Sequence, residues 1–372
     1  MPAPTHLIWN VSGPNRAARE RFSSGRKPRP GKYAWTQHKS QCLLDLPVKR
    51  TGTPQAQGHA NGSFVTNLPT FFIFGATKSG TSSLYFYLKQ HPDVFMSGVK
   101  EPHFFGFEPG AEVREVRNGE LRANSYVVTD EAEYRRLFSG AKGEHALGEA
   151  SVMYLYLEGA AERIRAAVPD ARLVAVLRNP VERAYSAYLH LIREEDEPCP
   201  TFMAALDAEP ARVAAGWAPL YHYQNMGFYA RQLRRFYAQF PPEQFNIFLY
   251  EDLEREPERV IREIYGFIGV DPSFRPDISV RHNISGVPQN ALMHGAYRFL
   301  KRSGPVKDVA KRFLPEPLRS RTKRRLLARL EANNLRKPPL SGEAQARLVA
   351  AYRDDVGELQ DLLGRDLSHW LR

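Results

Sequence analysis

The chain is poor in cysteine. Cys42 and Cys199 are its only two in 372 residues, far apart and outside any CxxC or His/Cys cluster, which excludes a disulfide scaffold and a zinc ribbon. No apolar run reaches the roughly 18–20 residues that span a bilayer, and no continuous apolar stretch near the N-terminus reads as a secretory signal. The expected compartment is therefore the reducing cytosol. Hydrophobic residues make up 42% and charged residues 25%, and the 21 Phe and 17 Tyr supply enough bulk for a large core, so the chain as a whole is globular.

Acidic residues are scarce only in places. The formal charge of +11 divides into about +8 over residues 1–69, about +11 over residues 298–337, and about −8 over the remainder. Positive charge confined to two segments gives no nucleic-acid signature for the body, and no nucleic-acid partner is expected. The stretch 298–337 reads equally as a patch for an anionic glycan or a membrane surface, the latter implying peripheral membrane contact, and as solvated helix faces.

Residues 1–69 are rich in Pro, Gly, Ser, Gln and Arg and read as a disordered basic leader. The apolar run Phe71-Phe72-Ile73-Phe74 then breaks into Gly75, as a buried strand entering a tight turn does. A helix is expected over about Thr81–Gln90, ended by His91-Pro92. Further strands are expected at about Ala146–Glu149, Leu173–Leu177 and Phe245–Tyr250, with helices at about 160–167, 181–193 and 226–239 and after Pro257. This alternation predicts an α/β fold with a doubly wound, mostly parallel sheet. One domain would occupy 70–372, with a core at 70–290 and a helical basic part at 291–372 in which Glu343–Leu363 forms a helix stopped by Gly364.

Gly75-Ala76-Thr77-Lys78-Ser79-Gly80-Thr81-Ser82-Ser83 lies between the first strand and the first helix. Such a loop aims backbone N–H groups and the positive end of a helix dipole at one point, where an anion is stabilised. An ATP or GTP P-loop carries Lys directly after its second Gly. Here Thr81 stands in that place and the Lys lies inside the loop, which argues against an ordinary kinase.

The displaced lysine resembles the loop of the PAPS-dependent sulfotransferases, where Lys-x-Gly-Thr joins strand to helix. Three further segments agree in order. Lys100-Glu101-Pro102-His103-Phe104-Phe105 is similar to the Lys-Glu-x-x-Phe-Phe of the heparan-sulfate-type branch and its bacterial relatives, Gly148-Glu149-Ala150-Ser151 to another recurring segment, and Arg178-Asn179-Pro180 through Ser186 to the 3′-phosphate-binding strand and helix. The resemblance covers roughly residues 70–290, together with Gly364-Arg365-Asp366-Leu367.

It implies a P-loop-like fold and a sulfotransferase using PAPS (3′-phosphoadenosine 5′-phosphosulfate) as co-substrate, without a required metal. Its acceptor would be a hydroxyl or amine on a glycan or small molecule, with an anionic acceptor one option and a natural product or lipid another. The resemblance assigns Lys78, Ser79, Gly80, Thr81, Ser82 and Ser83 to the 5′-phosphosulfate and Arg178 and Ser186 to the 3′-phosphate. It gives Lys78 the developing charge on the leaving nucleotide and makes Glu101 the candidate general base.

Each residue has a plainer reading. Lys78 could be a solvated loop lysine, Glu101 a partner for Lys100, Arg178 half of a salt bridge and Ser186 an ordinary helix serine. Glu149 and His103 are rival bases. Gly227-x-Tyr229 resembles an acceptor-side segment, but a packed Tyr at a helix start explains it equally. The Asn10, Asn61 and Asn283 sequons read as accidental. A magnesium-dependent kinase leaves Lys78 misplaced, and a basic binding protein on an inactive scaffold leaves the four ordered motifs unexplained.

Overall fold

The computed structural model describes residues 68–124, 126–279, 286–288 and 335–372. Nearly all of the expected leader and most of the stretch 298–337 lie outside the described residues.

In chain order the elements are β1 (Phe71–Ile73), α1 (Thr81–Leu88), β2 (Val94–Met96), β3 (Arg114–Arg117), β4 (Glu120–Ala123), α2 (Glu131–Arg136) and β5 (Ala146–Ala150). There follow α3 (Ala160–Ala167), β6 (Arg172–Leu177), α4 (Pro180–Arg193), α5 (Phe202–Ala214), α6 (Tyr229–Tyr237) and β7 (Phe245–Leu249). Then come α7 (Tyr250–Arg255), α8 (Pro257–Ile268), β8 (Val287–Pro288), β9 (Leu335–Arg336) and α9 (Gly342–Leu363).

The main sheet has the order β2-β5-β1-β6-β7, and every pairing in it is parallel. Alternate residues of the central strands feed two cores. Phe72, Phe74, Leu173, Ala175 and Leu177 face one, and Phe71, Ile73, Val174 and Val176 face the other. Helices cover both faces, which is why these strands read as continuous apolar runs. The expected doubly wound α/β fold is the one observed. In α9, Leu348, Tyr352, Val356 and Leu359 belong to the first of these cores, so the described part of 291–372 packs with the domain body. Among the described residues no helix is long and apolar enough to cross a membrane.

The ligand end is set by where the chain leaves β1. Strand order reverses across β1, with β5 on one side and β6 on the other, and clefts form outside the carboxyl ends of strands at such a switch. Gly75 lets the loop pass close to β6, since a Cβ there would lie 2.6 Å from both the Ala175 Cβ and the Val176 backbone N. Gly75→Ala should destabilise the fold by about 1–3 kcal/mol, as overpacking does, read from the denaturant midpoint; an unchanged midpoint would show that the loop can move aside.

The expected helix over 226–239 is shorter, a single 3₁₀ turn at Asn225–Gly227 preceding α6. The expected strand at Phe245–Tyr250 stops at Leu249, because Asp252 caps the N–H of Leu249 at 2.9 Å and starts α7.

Candidate active site

The loop from Gly75 to Thr81 is shaped by two left-handed residues, Lys78 at φ 65° and Gly80 at φ 80°. Between them Ser79 is fully buried, its hydroxyl oxygen without a hydrogen-bond partner. Gly80 precedes α1, whose first turn carries no acidic side chain, so the helix dipole there is left for an anion. A cleft of about 650 Å³ opens in front of the loop, lined by Thr77, Lys78, Gly80, Thr81, Ser82 and Ser83.

Arg178 enters this cleft from the end of β6. Its guanidinium donates to the Lys78 carbonyl at 3.0 Å and to Glu182 at 2.8 Å, and stacks 4.5 Å from the Tyr250 ring centroid. The side chain is almost buried, yet its Nε has no partner. The ion-pair reading of Arg178 and its place in the cleft thus both hold. Lys337, a cation of the basic stretch that is described, stands 3.7 Å from the same Glu182 carboxylate.

Burial, together with Arg193 and Arg178, pushes the Lys78 ammonium down to about 8, while Glu101 and Glu194 pull the other way. Two cations of the cleft, Lys78 and an Arg178 whose Nε has no partner, suit it to an anion with several acceptor oxygens.

Glu101 faces this cluster across the cleft. Glu101 and His103 both adopt left-handed backbone, φ 64° and 55°. This costly turn is pinned where the Glu101 N–H donates to the Ala150 carbonyl (2.9 Å), the His103 N–H to the Ser151 hydroxyl (3.0 Å) and the Val128 N–H to the Pro102 carbonyl (2.9 Å). The carboxylate pairs with Lys100 and lies 3.6 Å from His103 Nε2. Burial pushes its pKa up, but Lys100 and His103 outweigh burial and hold it well below the usual carboxylate range.

The rival base Glu149 is different. It is fully buried on β5, accepts bonds from the hydroxyls of Tyr134 and Tyr154, and is pushed up by burial. It does not line the cleft, whereas His103 does. Ser186 is also fully buried and absent from the cleft wall, so the structure brings Lys78, Glu101, His103 and Arg178 together and leaves Ser186 inside α4. Tyr229 likewise packs inside, fully buried.

Sequence reasoning missed two parts of the site. One is Arg193 at the far end of α4, which does not line the cleft but whose charge bears on Lys78. The other is the β3–β4 hairpin, whose residues Glu115 and Arg117 line the cleft. Its signal was present, since Asn118 (φ 48°) and Gly119 (φ 79°) form the tight turn that an Asn-Gly pair favours.

A model of the sulfotransferase family matches residues 69–275. The solved sulfotransferase from Alicyclobacillus acidocaldarius is 34% identical with a TM-score of 0.62, over 82% of this chain and 99% of that one. Human bifunctional heparan sulfate N-deacetylase/N-sulfotransferase 3 is 26% identical over 82% of this chain but only 31% of its own length. Human heparan sulfate glucosamine 3-O-sulfotransferase 6 is 29% identical over 59% of this chain and 56% of its own length. The chain thus spans about a third of the first human relative and about half of the second. A strand-to-helix anion loop with its lysine inside, at the switch point of a parallel sheet, occurs within the very residues that the family match covers: the chain belongs to the sulfotransferase family.

Proposed function

We propose that the protein moves the sulfuryl group of PAPS to a hydroxyl on a carbohydrate or glycoconjugate in one in-line displacement. The observation that carries this reading is the meeting, in one cleft, of a cation-lined anion loop and the Glu101 carboxylate. The Lys78–Ser83 loop would hold the 5′-phosphosulfate and Arg178 the 3′-phosphate. Lys78 meets the charge that builds on the bridging oxygen as it leaves. Glu101 takes the proton of the attacking hydroxyl, and the products are a sulfate ester, 3′,5′-ADP and that proton. Ser186 could reach the nucleotide only after a shift of what covers it.

Two relatives named for heparan sulfate favour a sugar acceptor. Among the described residues no group of three or more His, Cys, Asp or Glu is placed to hold a metal, and the mechanism calls for none.

The test is nucleotide selectivity. Wild type should bind 3′,5′-ADP about 100-fold more tightly than 5′-AMP, and Arg178→Ala should remove most of that difference, since a charge-assisted contact contributes about 1.5–3 kcal/mol. Calorimetric titration reads both. Stabilisation by magnesium–ATP or a DNA duplex, with none by 3′,5′-ADP, would overturn the reading.

A further inference from the structure

The donor half of the cleft is cationic, whereas the opposite half is apolar and internally neutral. Its wall is formed by Phe107, Val127, Val152, Met153, Leu157 and Leu220. The hairpin that rims it cancels its own charge, because Arg114 pairs with Glu112, Arg117 with Glu115 and Arg122 with Glu120.

The rim is also fixed in place. Val116 exchanges backbone bonds with Gly216 (3.0 Å) and Ala218 (2.9 Å), and the Asn118 N–H donates to the Tyr221 hydroxyl at 3.3 Å. A polyanionic chain is recognised by unpaired cations. This lip offers the cleft paired charges, and the wall beside it that shares the cleft with Glu101 is apolar.

We infer that the acceptor is a neutral amphiphile: a hydroxyl-bearing head, such as a sugar, attached to an alkyl or aryl body. The inference rests on sulfuryl transfer at this same cleft. The head meets Glu101 and the body lies along the wall. The acceptor oxygen bonds to sulfur as the bond from sulfur to the bridging oxygen of PAPS breaks. The electron pair leaves with 3′,5′-ADP, and the hydroxyl proton passes to Glu101.

The experiment uses the full chain, labelled PAPS, monomeric n-alkyl β-glucosides from methyl to octyl, and N-acetylheparosan as the polyanionic probe. Each methylene that reaches the wall should raise kcat/KM by about fourfold until the wall is filled, and octyl glucoside should exceed heparosan. Leu157→Asn, and separately Val127→Asn, should flatten that slope with 3′,5′-ADP affinity unchanged. A rate independent of chain length, a preference for heparosan, or transfer to none of the glucosides by a protein that binds 3′,5′-ADP selectively overturns this inference alone. Failure to bind 3′,5′-ADP selectively overturns the underlying reading as well.

Discussion

Lys78→Ala should lower kcat for sulfuryl transfer by about 10³-fold, the loss that follows removal of one preorganised donor from developing charge. Lys78 lies against the cleft with its carbonyl held by Arg178, so truncating the side chain leaves the loop's backbone pinned. The same lysine sets an alkaline limit. With its ammonium pushed down to about 8 by burial and by Arg193 and Arg178, kcat/KM should fall as pH rises past about 8, because this parameter reports the free enzyme. Bound PAPS would add negative charge beside the ammonium, so the limb in kcat should lie at higher pH. Lys78→Arg should erase both limbs.

Stability moves the other way. Between about 8 and the ordinary 10.5 the unfolded chain still holds the proton that the folded chain has released, so folding gains stability with rising pH across that window. Lys78→Met should lack the gain. Melting temperatures of both proteins across the window check the sign, and parallel curves would mean that Lys78 titrates normally.

Glu101→Gln should lower kcat by about 10²–10⁴-fold, the usual range for a general base. A charge effect is expected as well. Paired with Lys100 and close to His103, the carboxylate is held low, and a base held low has weak affinity for the proton it must accept. Lys100→Met removes the largest of the charges opposing burial, so Glu101 should titrate higher and the acid limb of the pH–rate profile should move upward. A Glu101→Gln enzyme with wild-type kcat would transfer the role to His103, since Glu149 is sealed under Tyr134 and Tyr154.

Much of the site could be read before any fold was known, because it depends on local order. Strand, glycine and helix follow one another from Phe71 to Leu88, and each step has a residue-level cause. The central strands are legible as apolar runs because both faces are covered. What could not be read depends on neighbours distant in sequence. β2 is three residues long and exists through its pairing with β5. The β3–β4 hairpin has its Asn-Gly turn, but Arg-Glu-Val-Arg and Glu-Leu-Arg-Ala lack apolar alternation, so the turn had no strands to join. The helix α5 carries Pro210 in its interior, which masks it. Ser186 has the right spacing from Arg178 but is shut away by packing, and spacing cannot report depth.

Arg178 also donates to the carbonyl of Lys78. On the proposed reading the two ends of the nucleotide would be held by groups that share a hydrogen bond, so that a disturbance at one would be felt at the other. A substitution of Arg178 would act on turnover as well as on affinity, and its effect would not add to that of Lys78 in a double-mutant cycle. Nucleotides lacking the 3′-phosphate would then be poor donors twice over: they bind weakly, and they leave the catalytic loop without the guanidinium position that the phosphate would set.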